Sequence, residues 1–341
     1  DKDLSQPKEP EKTTDPVIPD DADWTTTRSV NLSITSPVAT RVAIYTDESC
    51  TDASLLTELP VSEVAKNIRL DVAKADRALY VQYATSKGKE MMNIPLNTAS
   101  TRAETLVKLP ENVSGFDTNG GEGAYRYQWY PAKGETATLM MEDNWPEMGD
   151  YDFNDFVIYY HTQAIFFDGG NGSKDSYEAD GIEFEITFRA MGGYLPYRLG
   201  LQLDQTSAKY IDEVIEINGN DLVKMELQNP GEDAPAIFIF TGTDQLRKQN
   251  NGGTFYNTEA DHQIAANDLV TIKYRLKINC FNSLERTKAL WAAAISENQN
   301  FFLQKEKNGS KHLPQRLIFG RPSLAHKGCG YHQLMLEQKF T

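Results

Sequence analysis

The stretch Trp129–Tyr160, WYPAKGETATLMMEDNWPEMGDYDFNDFVIYY, decides how this chain is read. Two β-like runs, Thr138–Met141 and Phe156 onward, enclose a segment holding Glu142, Asp143, Glu147, Asp150, Asp152, Asn154 and Asp155. So many oxygen ligands in so little chain repel one another unless water or a hard cation separates them. Met148-Gly149 turns the chain. Alternation then puts Asp150, Asp152 and Asn154 on one side, with Tyr151 and Phe153 aimed at a core.

Working toward the C-terminus, period-2 alternation continues. Ile182, Phe184, Ile186 and Phe188 face one way while Glu183, Glu185 and Thr187 face the other, the mark of a half-buried antiparallel strand. The runs Tyr197–Leu203, Ile211–Ile217, Leu222–Leu227, Ile237–Phe240 and Leu269–Phe281 read as further strands. The run 288–295, KALWAAAI, suits a helix by propensity, and a buried strand stays open beside it. Together these predict a larger antiparallel β-sandwich over 137–314, with a jelly roll as one arrangement.

Toward the N-terminus, Val30, Leu32 and Ile34, then Val42 and Ile44, then Leu79, Val81 and Tyr83 repeat the alternation. A small Ig-like β domain over 24–100 follows, with a helical turn expected near Val61–Ile68. Residues 101–136 carry Gly115, Gly120, Gly121 and Gly123 in a polar, turn-rich setting and read as a connecting segment; no phosphate-loop pattern accompanies the glycines. Residues 1–23 hold four prolines and eight acids with almost nothing apolar, which predicts a disordered tether. The overall class is all-β.

Composition narrows the partners. With 34 basic and 49 acidic residues the net charge is −15, which disfavours nucleic acid and anionic membrane surfaces. No apolar run reaches the ~20 residues that span a bilayer. The start at Asp1 fits removal of a signal peptide or a lipid anchor upstream, and fits a simple later start equally. Cys50, Cys280 and Cys329 form no metal-like spacing and read as three unpaired thiols, one disulfide with a free thiol being the other reading. From residue 311 to the end there are five basic residues, three histidines and one acid, so 315–341 reads as an atypical, truncated tail.

The spacing Asp150-x-Asp152-x-Asn154 opens like an EF-hand loop, but Asp155 and His161 stand where that loop needs Gly and Glu. What remains is a candidate calcium site of Asp143, Asp150, Asp152, Asn154 and Asp155, against the alternative that these residues cap turns. A second acidic cluster, Asp168 to Asp175 with Glu178 and Asp180, contains Lys174 and reads as a solvated loop; since one strand joins the two, proximity between them stays open. No HExxH, GxSxG or Cys-His arrangement points to catalysis. Tyr125, Tyr127, Trp129, Tyr130 and Tyr194 could stack on sugar rings or simply pack.

The segment Glu142, Asp143, Trp145, Pro146, then Gly149, Asp150, Tyr151, Asp152, Asn154, Asp155 and Val157 resembles the signature of LruC-domain proteins. These are secreted or lipid-anchored surface proteins frequent in Bacteroidetes, with poorly defined activity. Met141 and Phe156 depart slightly from the usual pattern, and the ending after 312–314 departs strongly. The resemblance implies a cell-surface, outer-membrane lipoprotein or secreted setting. The expected function is a non-enzymatic, calcium-stabilised β protein for extracellular binding, adhesion or scaffolding, with an unidentified protein or glycan ligand. The alternative is a carbohydrate-binding or carbohydrate-active envelope protein.

Overall fold

The computed structural model describes residues 26–96, 104–141, 154–167, 181–194, 197–278, 283–305 and 323–324. The region read as a tether, 1–23, lies outside these, and so does the tail 315–341 apart from the pair 323–324. The chain is all-β with one α-helix and several short 3-10 turns in the described part, and the mostly antiparallel sheets pack in pairs.

The first pair begins with β1 (Thr27–Thr35), which pairs antiparallel with β4 (Lys66–Ala73) and parallel with β7 (Glu104–Lys108). Against them lie β2 (Thr40–Tyr45), β3 (Leu55–Val61), β5 (Ala78–Thr85) and β6 (Gly88–Pro95), in the order β3-β2-β5-β6. Register makes the core. Leu32 sits opposite Ile68, and Ile44 opposite Val81, so each sheet turns one apolar face inward and the two faces merge into a single cluster. The helical turn expected near Val61–Ile68 does not form: β3 runs to Val61, the chain bends, and β4 starts at Lys66. Val61 and Ile68 are buried as members of β3 and β4, while Val64 between them is 78% exposed, so a lone turn there would have no apolar face to bury.

The second pair joins β10 (Phe156–Phe167), β11 (Gly181–Ala190), β16 (Thr271–Ile278) and β13 (Ile211–Asn218) on one side. Facing them are β14 (Lys224–Leu227), β15 (Pro235–Thr241), β12 (Tyr197–Ser207) and β17 (Gln299–Lys305). Ile158, Phe184 and Phe188 meet Leu201, Phe238 and Phe301 in one buried cluster, closed by α1 (Ser283–Ala294) through Leu290 and Ala293. Helix propensity therefore decides the run 288–295.

The segment 101–136 is more than a connection. Besides β7 it supplies β8 (Tyr125–Tyr130), which pairs Tyr130–Tyr125 with Thr162–Phe167 of β10 on one edge. On its other edge β8 pairs Gln128 and Tyr127 with Thr57 and Glu58 of β3. One long sheet therefore runs through both sandwiches. β9 (Ala137–Met141) pairs with the first half of β10, and a two-residue β18 (Ser323–Leu324) pairs with β9.

The joint is polar and buried. Arg126, 1% exposed, lies 4.3 Å from the Phe166 ring and 4.4 Å from the Trp291 ring, and donates to Gln128 Oε1 at 2.6 Å. Gln128 in turn donates to the Arg69 carbonyl at 3.2 Å, and Arg69 pairs with Glu297 at 3.0 Å. Trp291 touches the cores of both sandwiches.

Candidate functional site

The acidic loop is built from its anchors. Met141 at the end of β9 pairs with Phe156 at the start of β10, so the segment between them starts and ends on neighbouring strands. Asp143, Asp150 and Asp152 lie outside the described residues, as do Tyr151 and Phe153. Asn154 and Asp155 are in place. Their carbonyls accept from the amides of Gly192 and Gly193 at 2.9 and 3.3 Å. A Cβ on Gly192 would come within 1.9 Å of Asn154 Oδ1 and 3.1 Å of its carbonyl oxygen, so any larger residue must displace the Asn154 side chain. The loop's C-terminal limb is thereby pinned to the chain that follows β11, a contact with no signal in sequence.

The second acidic cluster also lies outside the described residues. Its anchors do not: it leaves from Phe167 and returns at Gly181, whereas the first loop enters at Phe156. At roughly 3.3 Å per residue, β10 separates those two ends by about 36 Å. The strand joining the clusters holds their attachment points apart.

Among the described residues no group of three or more His, Cys, Asp or Glu side chains is placed to hold a metal ion. A cleft of about 410 Å³ between the loops at 46–56, 71–76 and 131–136 is lined by Asp47, Asp71, Asp76 and Glu135. Three of these carboxylates are already engaged. Asp47 sits below its usual range because the Ser49 side chain and then the Ser49 amide donate to it, Asp71 accepts from Ser29 and Ser296, and Asp76 accepts from the Ala73 amide.

The aromatic residues divide. Tyr130 turns inward beside Tyr160, and burial pushes both phenols up, with the charge of Asp71 adding to it. Tyr125, Tyr127 and Trp129 alternate with them onto the outer face of the long sheet, Trp129 buried and the tyrosines half-buried. Tyr194 is 77% exposed, edge-on to Phe255 at 5.0 Å, with Arg247 donating to its carbonyl. Cys50 is a free, half-buried thiol whose pKa is raised by burial; Cys280 and Cys329 lie outside the described residues.

A model of a domain of unknown function, DUF4842, matches residues 179–316. No curated protein matches the chain at a significant level. Among solved structures, the chain is similar to a "putative lipoprotein from Bacteroides ovatus", with a TM-score of 0.58 and 22% identity over 80% of this chain and 77% of that one. At that identity the likeness establishes a shared fold and nothing further. Among the described residues no helix is long and apolar enough to cross a membrane.

Proposed function

We propose that this chain is a non-enzymatic protein of the cell envelope or its exterior, whose paired sandwiches bind or scaffold an extracellular ligand. Asp143, Asp150, Asp152, Asn154 and Asp155 together hold one calcium ion at one end of the second sandwich. The observation that carries the calcium site is the pairing of Met141 with Phe156. It starts and ends an oxygen-rich segment on neighbouring strands, so carboxylates from both limbs begin close together. A divalent cation reverses the sign of their mutual repulsion, and backbone carbonyls or water complete six to eight oxygens. The envelope setting rests on the LruC-like segment and on the fold shared with a protein described as a lipoprotein.

Thermal melting during calcium titration tests this reading. Calcium at ~100 times its dissociation constant should stabilise the protein by roughly 2.7 kcal/mol. Magnesium, which demands a tight octahedral shell, should give much less. Asp152→Ala should remove most of the gain. A melting temperature indifferent to calcium would leave the acids as turn caps and end the proposal.

A further inference from the structure

The outer face of the long sheet carries chemistry that neither sandwich core uses. Tyr125, Tyr127 and Trp129 form a row along β8, with centroids 6.3 and 6.0 Å apart and planes within 30° and 20° of parallel. Phe167 of β10 closes one end of the row, its ring edge-on to Tyr125 at 5.3 Å. A small apolar cluster of Tyr45, Leu55 and Trp129, with Tyr80 and Tyr127 packed against it, sits on this face, apart from both sandwich cores.

Sheet order flanks the row with polar side chains. Glu58 of β3 lies opposite Tyr127 on one side, and Gln163 of β10 lies opposite Trp129 on the other. Both are half-buried, and neither makes a hydrogen bond or ion pair with the described residues. A half-buried carboxylate and amide without partners are costly unless water or a ligand meets them. Several charges elsewhere on or near the face have partners. Glu183 is held by Lys273 at 2.9 Å and Arg275 at 3.1 Å. Lys133 pairs with Asp52 at 3.5 Å, and Arg41 donates to the carbonyls of Glu122, Gly123 and Tyr125. Among the described residues the two cations beside the row, Arg41 and Lys133, are held in this way.

We infer that this face binds a neutral polysaccharide, its sugar rings lying on Tyr125 and Tyr127 while Glu58 and Gln163 take hydroxyls on either side. Sugars present apolar C–H faces bordered by hydroxyl edges. An aromatic row meets the first, while a carboxylate that accepts and an amide that both donates and accepts meet the second. Phosphorylated or sulfated chains would meet the unpaired charge of Glu58 and be disfavoured. The inference gives a ligand class to the binding role proposed above, yet uses no residue of the acidic loop.

Native affinity electrophoresis tests it, with the whole chain run in gels containing soluble β-glucan, xylan, galactomannan or amylose, each with and without EDTA. Retardation by at least one of these, unchanged by EDTA, is expected. The double variant Tyr125→Ala/Tyr127→Ala should weaken it at least tenfold. Glu58→Gln, nearly isosteric and so a guard against misfolding, should weaken it several-fold at an unchanged melting temperature. The inference is overturned if none of the four retards the protein, if both variants bind like the parent, or if EDTA abolishes binding. The last result would assign recognition to the calcium loop, while failure of calcium to stabilise the protein would leave this face untouched.

Discussion

Asp71 of the first sandwich and Ser296, just past α1 in the second, are joined twice: the Ser296 amide and hydroxyl donate to one carboxylate oxygen at 2.9 and 2.8 Å. The other oxygen accepts from Ser29 at 2.8 Å. One side chain therefore ties the two sandwiches at a half-buried position. Hydrogen bonds to a charged partner are worth about 1.5–3 kcal/mol each way of counting, so Asp71→Ala should destabilise the protein by about 2–3 kcal/mol in urea unfolding. A change below about 0.5 kcal/mol, the range of ordinary surface substitutions, would show that the joint does not depend on it.

Arg126 makes a second, independent prediction. Its guanidinium is sandwiched between Phe166 and Trp291, and a desolvated cation–π contact is worth about 2 kcal/mol or more. Arg126→Ala also leaves a cavity and deprives Gln128 of its donor. The expected loss exceeds about 3 kcal/mol, with Arg126→Met milder because it refills the volume. Equal losses for the two variants would show that charge rather than packing dominates.

Gly192 tests the pinning of the acidic loop. Gly192→Ala drives a Cβ onto Asn154 Oδ1, and forced close contacts of this kind cost about 1–3 kcal/mol. Adding Asn154→Ala removes the clashing oxygen and should recover part of that loss, a non-additivity read by a double-mutant cycle. Simple additivity of the two changes would place the strain elsewhere.

His161 gives a pH dependence. Burial holds its pKa below the ordinary value of 6.5, opposed by its ring Nδ1 facing the Glu135 carbonyl at 2.9 Å and by Glu185 and Glu183. The unfolded chain then binds the proton more readily than the folded one, so stability is full above about pH 6.5 and falls as pH drops toward the folded pKa. The melting temperature should decline between pH 7 and 5, and His161→Asn should flatten that part of the curve. An equal decline in the variant would assign it to carboxylates.

Much of the architecture was legible because a strand with one buried face writes its period into the residues: Ile182 to Phe188 and Ile272 to Ile278 alternate visibly, and both lie in strands. β17 was missed because Phe301, Phe302 and Leu303 are all buried, which erases the alternation. The Val61–Ile68 turn failed because local propensity yields to sandwich closure. The oxygen-rich loop was legible too, since its charge density is a property of the chain alone. What the residues could not disclose is which strands become neighbours. Glu58 and Gln163 flank one aromatic row although more than a hundred positions separate them, because β8 lies between β3 and β10. Likewise Asp71 meets Ser296 and Gly192 meets Asn154 only across the finished packing. Periodicity and charge are fixed by covalent order, while sheet order is settled by the burial of both faces at once, and only the tertiary structure records it.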